Sequence, residues 1–272
     1  MAMTIRVSLV LTLSLCFAEA GSAPEHSPWP GGIAVVPVEG VTRPLVTVNG
    51  KPALVIREDT AWVAVIGIPL DHDESTTLTA SIERAGAASQ SIEVKLEAAN
   101  YRVQRLNVDR KYVEPDPAAL ERIFAERKVI DRALTHWHDT PITAVVLQQP
   151  VPGARSTSFG SQRIFNDQPR SPHKGMDITA SSGTSILTPL AGEVAAVGDY
   201  YFNGNTVILD HGQGLISLYC HLSAIDVTPG QAVAAGTLLG KVGATGRVTG
   251  AHLHFATYLN GTAVDPSLLL LP

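Results

Sequence analysis

The chain has 272 residues, 45% of them hydrophobic and 17% charged, with a formal net charge of −5. That length suggests two domains. The mildly acidic balance gives no footing for a polyanionic partner such as nucleic acid. The composition is that of an ordinary globular protein, with no low-complexity bias.

Residues 1–20 read as a secretory signal peptide. Arg6 is the positive n-region, Val7–Phe17 the apolar h-region, and Ala18-Glu19-Ala20 a small-x-small cleavage pattern. Leu15, before Cys16, is too large for a lipoprotein signal. The h-region is too short to span a bilayer, and no later run is long enough for a transmembrane helix, so the mature chain is expected to be exported and soluble. Cleavage would leave Cys220 as the one cysteine, which excludes an intrachain disulfide.

Residues 27–112 carry short strand-like runs between turn residues, the pattern of a small antiparallel β-sandwich. Asn49-Gly50 marks a hairpin between Pro44–Val48 and Ala53–Arg57, because both central positions accept positive φ. Leu78–Glu83 and Ser91–Leu96 alternate apolar with polar residues. A connecting helix over 115–138 follows, started by Pro115-Asp116-Pro117, with Leu120, Ile123, Phe124, Ile130, Leu134 and Trp137 at close to helical period. His136-Trp137-His138 would close that helix as surface histidines whose rings diverge. Residues 139–153, with three prolines, read as an extended linker.

Residues 154–272 are rich in glycine and β-branched residues and carry no long helical pattern, which predicts an all-β, mostly antiparallel domain. Three elements there bear chemistry. His173-Lys174-Gly175-Met176-Asp177 sets an imidazole and a carboxylate on one face of an extended segment. Tyr219-Cys220-His221-Leu222-Ser223 puts a histidine at the end of an apolar strand. Gly250-Ala251-His252-Leu253-His254-Phe255 places two imidazoles two positions apart, so on a strand both project from one face. Alternation sends Cys220 to the face opposite His221, into the core, which argues against a Cys–His nucleophile.

In this order, with the Gly-rich run 229–247, these motifs resemble the lysostaphin-like (LytM-type) zinc endopeptidases over about residues 155–266. Ser158-Phe159-Gly160, with Arg163 just beyond, looks like the opening of that catalytic domain, and the sandwich and helix are similar to the accessory domain of Gram-negative exported members. The resemblance implies one zinc held by His173, Asp177 and His254, with His221 and His252 as an unligated catalytic pair whose division of labour stays open. Two imidazoles and a carboxylate leave a fourth position for water, the open geometry of a catalytic zinc site. His211, in Asp210-His211-Gly212, matches a turn of the family rather than its chemistry.

The implied activity is zinc-dependent hydrolysis of peptidoglycan cross-links, with stem peptides as partners and a monomeric chain. The alternative is a non-enzymatic activator of a cell-wall amidase; such relatives usually lack zinc ligands, and none is missing here. A lipoyl- or biotin-carrier-like module would leave the histidines unexplained. The N-terminal part is expected to pack beside the groove and limit what enters it.

Overall fold

The computed structural model describes residues 23–73, 77–84, 86, 88–142 and 145–272, so the signal-peptide reading of residues 1–20 lies outside the described residues. Among the described residues the fold is mainly β with one α-helix, Pro117–Leu134, as the strand patterns predict. Two sheets build the N-terminal sandwich. One pairs Ile33–Val38, Ala61–Gly67 and Leu54–Glu58; the other pairs Lys51–Pro52, Leu45–Val48, Thr77–Glu83 and Gln90–Lys95.

The two sheets differ in sequence because they differ in burial. Thr77–Glu83 alternates buried and exposed positions, since one of its faces meets water. Leu54-Val55-Ile56 and Val63–Ile66 are apolar throughout because that sheet is covered on both sides. Val55, Ala64 and Ile66 face the sandwich core. Leu54, Ile56, Val63 and Val65 instead join Tyr219, Leu253 and Phe255 in a core shared with the C-terminal half. The molecule is thus layered as sheet, sheet, sheet.

Asn49 and Gly50 both adopt positive φ, as a tight hairpin turn requires. The short strand ends at Pro52, and the Ala53 N–H makes a last bond back to the Val46 carbonyl at 2.8 Å. The chain crosses over at Ala53, and Leu54–Glu58 pairs with Ala61–Gly67 in the other sheet.

Asp116 caps the helix by accepting from the Ala119 N–H at 2.8 Å. The helix ends at Leu134, short of the expected Trp137: Thr135 leaves helical geometry and its hydroxyl donates back to the Asp131 carbonyl at 2.7 Å. Its apolar period does not mark a buried stripe along its length. Leu120 is 39% and Phe124 61% exposed, and only Ala133 and Leu134 are buried.

The C-terminal half is one nine-stranded antiparallel sheet, with Met176–Ile178, Leu253–Leu259, Ile216–Ile225, Gly204–Asp210 and Gly192–Tyr200 as successive neighbours. Two segments bind the halves together where the sequence suggested a boundary. Val103–Leu106 pairs in parallel with Gln162–Phe165. The segment read as a linker is packed where it is described: Val145, Leu147 and Val151 are buried, and Leu147 exchanges backbone hydrogen bonds with Leu269 and Leu271.

Asn260, in a left-handed turn, completes the joint. Its Oδ1 accepts from the Gly67 N–H at 2.7 Å, and its Nδ2 donates to the Gly67 carbonyl at 3.2 Å. Both bonds are buried, and an unpaired buried group costs about 1–3 kcal/mol. Asn260→Ala is therefore expected to lower unfolding stability by about 2–3 kcal/mol, measured by urea denaturation; a change within about 0.5 kcal/mol would show that Gly67 finds other partners.

Candidate metal and catalytic site

Met176–Ile178 pairs with Leu253–Leu259 so that Asp177 lies directly opposite His254. Met176 and Ile178 turn into the shared core, which leaves Asp177 on the other face. His173 reaches the same point from the preceding loop. Its Nε2 lies 2.9 Å from His254 Nδ1 and 3.3 Å from Asp177 Oδ1, and His254 Nδ1 lies 3.0 Å from that oxygen. Three metal-binding atoms from three side chains thus form a closed triangle.

The tautomer of His173 follows from its outer contacts. Nδ1 lies 3.2 Å from the Ser158 carbonyl and 3.0 Å from its hydroxyl. A carbonyl only accepts, so Nδ1 carries the proton and Nε2 presents its lone pair to the triangle. The Ser158 hydroxyl meets that of Ser156 at 2.7 Å, and Ser156 accepts from the Asp177 N–H at 3.0 Å. Burial lowers the His173 pKa to about 4. For Asp177, burial alone would raise the pKa, but the imidazoles of His173 and His254 outweigh it and hold the carboxyl well below the usual carboxylate range.

The other two predicted residues stand beside this triangle. His252 precedes the strand and directs Nε2 to within 3.7 Å of Asp177 Oδ1, while its Nδ1 donates to the Gly250 carbonyl at 2.9 Å. The His221 Nδ1 donates to the Thr245 carbonyl at 2.8 Å, and its ring centre lies 5.1 Å from that of His252 and 5.9 Å from that of His254. Burial lowers the His221 pKa to about 3. All five predicted side chains are therefore gathered at one place.

Simple alternation misplaces one neighbour. Cys220 is the register partner of His254, so it shares the face of the site instead of opposing it. His221 reaches that face because its backbone is left-handed, φ 69°, a conformation that non-glycine residues rarely hold. Cys220 is still no nucleophile: it is 1% exposed, and burial pushes its thiol far above the ordinary value.

Two residues within the motifs have roles that the sequence left unassigned, Gly175 and Arg163. A Cβ at Gly175 would come within 2.6 Å of the His254 ring and 2.7 Å of the Phe255 carbonyl, so the H-x-x-x-D spacing works only with glycine at its centre. Arg163, largely buried, directs Nη2 to 3.6 Å from Asp177 Oδ2. With Arg170, Lys174 and Arg247 it lines a groove of about 430 Å³ that opens onto His173, His221 and His254. Tyr112, Val113, Ile130 and Leu134 supply an apolar lip to the same groove, and Tyr112 is fastened there by its hydroxyl, which donates to the Gly246 carbonyl at 2.8 Å.

The profile of Peptidase family M23 matches residues 171–266, and that of the Peptidase family M23 N-terminal domain matches residues 26–95. A crystal structure described as a peptidase M23 from Pseudomonas aeruginosa is 38% identical, covers 89% of this chain and 95% of its own, and superposes with a TM-score of 0.76. The chain belongs to peptidase family M23. Among curated M23 relatives, the peptidoglycan DD-endopeptidase ShyA of Vibrio cholerae is 36% identical over 118 residues, 43% of this chain and 27% of ShyA. The DD-carboxypeptidase/endopeptidase Mpg of Neisseria meningitidis is 39% identical over 100 residues, 37% of this chain and 23% of Mpg. The match therefore spans about a quarter of the length of these curated relatives. Among the described residues, no helix is long and apolar enough to cross a membrane.

Because Ser158 fixes the ring that completes the triangle, Ser158→Ala should weaken divalent-metal affinity by about 10–100-fold while leaving the fold intact. Competition with a chromogenic chelator, alongside circular dichroism, measures both. Unchanged affinity would remove Ser158 from the support of the site.

Proposed function

We propose that this chain is a zinc-dependent endopeptidase that hydrolyses peptide cross-links of peptidoglycan. The observation that carries the reading is the triangle of His173 Nε2, Asp177 Oδ1 and His254 Nδ1, with edges of 2.9–3.3 Å. Donors on a tetrahedral zinc with bonds of about 2.0–2.1 Å stand about 3.3 Å apart, so the three residues fit the ion without rearrangement. Two imidazole nitrogens and one carboxylate also suit zinc better than magnesium or calcium, which prefer all-oxygen sets. Bound there, zinc would polarise the scissile carbonyl and lower the pKa of water towards about 7.

The chain's own residues do the rest. His221 and His252 each commit Nδ1–H to a backbone carbonyl, which leaves Nε2 to act at the site: the His221 ring lines the groove, and the His252 Nε2 faces the Asp177 carboxylate at 3.7 Å. One of these atoms takes the proton of the attacking water and passes it to the leaving amine nitrogen as the C–N bond breaks; the other supports the carbonyl oxygen only as an imidazolium, with a second proton on Nε2 to donate. Arg163, Arg170, Lys174 and Arg247 give the groove a cationic wall, matched to stem peptides that carry free carboxylates. The DD-endopeptidase names of two matched relatives agree with that substrate class. Such a substrate places the work in the periplasm.

In this reading His254→Ala abolishes zinc binding at this triangle together with activity, while His221→Ala and His252→Ala keep that zinc and lose activity by at least about 100-fold. Elemental analysis and digestion of purified sacculi, with products read by mass spectrometry, test it. Monomeric muropeptides released from dimers on intact glycan strands are expected. Products cut between sugar and stem peptide would overturn the assignment, as would full zinc occupancy in Asp177→Ala.

The lip formed by Tyr112 and the helix end narrows the same groove, and in this reading it restricts bulky substrate. Tyr112→Ala should speed cleavage of sacculi several-fold while changing the rate on a small soluble cross-linked dimer little. Equal rates for variant and parent on both substrates would leave the lip a structural contact only.

A further inference from the structure

His136, His138 and Asp210 form a second cluster that shares no residue with the groove. The sequence reading had the two imidazoles diverging at a helix end, which is correct for a helix. The helix stops at Leu134, however, and the following residues are irregular, so both rings turn towards one carboxylate. His136 Nδ1 lies 2.6 Å from Asp210 Oδ2, and His138 Nε2 lies 3.2 Å from Asp210 Oδ1. Asp210 is 3% exposed and forms no ion pair with lysine or arginine among the described residues.

Supporting contacts hold these groups in place. The Gly212 N–H donates to Asp210 Oδ1 at 2.8 Å, and the remaining nitrogen of His138, Nδ1, meets the Thr140 hydroxyl at 2.7 Å. An imidazole fixed through its second nitrogen is the usual outer support of a metal ligand. A fourth donor can be brought in by rotation of Glu193, the register partner of Asp210 on the same face of the hairpin, whose carboxylate stands outside the three-residue cluster. Glu193 and the three clustered residues line a cavity of about 330 Å³, walled by Val129, Ala195 and Ala196, with Arg132 at its edge.

We propose that His136, His138 and Asp210, completed by Glu193, form a second divalent-metal site, independent of the proposed catalytic one. Two imidazoles and two carboxylates select zinc or another late first-row ion over magnesium or calcium. Two negative charges, one nearly buried, equal the charge of a divalent ion, which leaves the Arg132 guanidinium of the lining outside that balance. An ion there ties the segment after the helix to the Gly192–Tyr200 and Gly204–Asp210 hairpin, which makes the site structural. The competing arrangement is a clasp of plain hydrogen bonds from the two imidazoles to Asp210.

The test is zinc stoichiometry on the full-length folded chain, by equilibrium dialysis and elemental analysis. Two equivalents are expected for the parent, one for His136→Ala/His138→Ala, and one for His254→Ala. Equal stoichiometry in the parent and the His136/His138 variant overturns the proposal. Failure of the catalytic-site reading would look different, because His254→Ala would then hold as much zinc as the parent. Should the double variant not fold, cobalt added to His254→Ala decides: one equivalent with the strong visible absorption of a four-coordinate ion supports the second site, and its absence overturns it.

Discussion

The pairing of Met176–Ile178 with Leu253–Leu259 is the constraint on which the site depends. It sets Asp177 opposite His254, and it does so because Met176, Ile178, Leu253 and Phe255 are all drawn into the same core. Side chains on a strand alternate with a period of two, so a slip of one residue would bury the donors and expose the apolar set. The hydrophobic free energy of four core residues therefore enforces the register of two polar ones. His173 is added from a loop, and that loop is itself held to Asp177 through Ser156 and Ser158. The His173 backbone adds two bonds of its own, donating to the Ser161 carbonyl at 3.0 Å and accepting from the Gly160 N–H at 2.8 Å, so the loop ligand is held at both main chain and ring.

The layering explains where the N-terminal half acts. Its inner sheet packs against the core side of the C-terminal sheet, beneath Tyr219 and Phe255. The donors project from the other face, so the sandwich does not reach them. The segment around Tyr112 and the end of the helix do, because the chain wraps round the sheet and returns over the groove. One continuous N-terminal region thus supplies a foundation on one face and a lip on the other. Parallel pairing of Val103–Leu106 with Gln162–Phe165 lies on that path.

How legible each feature was in the sequence follows from how local its cause is. The H-x-H strand and the H-x-x-x-D segment could be read because alternation needs only neighbouring residues. The sandwich could be read for the same reason. Where a distant partner decides, local pattern fails. Leu120 and Phe124 carry helical period without burial, since nothing packs over them. His136 and His138 converge because the Thr135 hydroxyl bonds back to the Asp131 carbonyl and ends the helix early. Val103–Leu106 finds its partner in the other half of the chain, which no hairpin signal announces. The placement of His221 depends on one backbone dihedral, and the residues around it give no sign of that angle.

That dihedral links stability to the proposed chemistry. A left-handed non-glycine residue costs of order 1–3 kcal/mol and persists only where its surroundings over-determine it. At His221 the surroundings do so: its N–H donates to the Asn203 carbonyl at 2.9 Å, its ring nitrogen donates to Thr245, and Leu222 beside it is fully buried. The strain turns the imidazole onto the face where His252 and His254 stand, and no relaxed strand would put it there directly after Cys220. Among the described residues no disulfide offsets that cost or the burial of His173 and Asp177, since Cys220 is a free thiol. The compensation comes from the inner N-terminal sheet, apolar on both faces and buried on both, which gives the C-terminal sheet a backing it would lack alone.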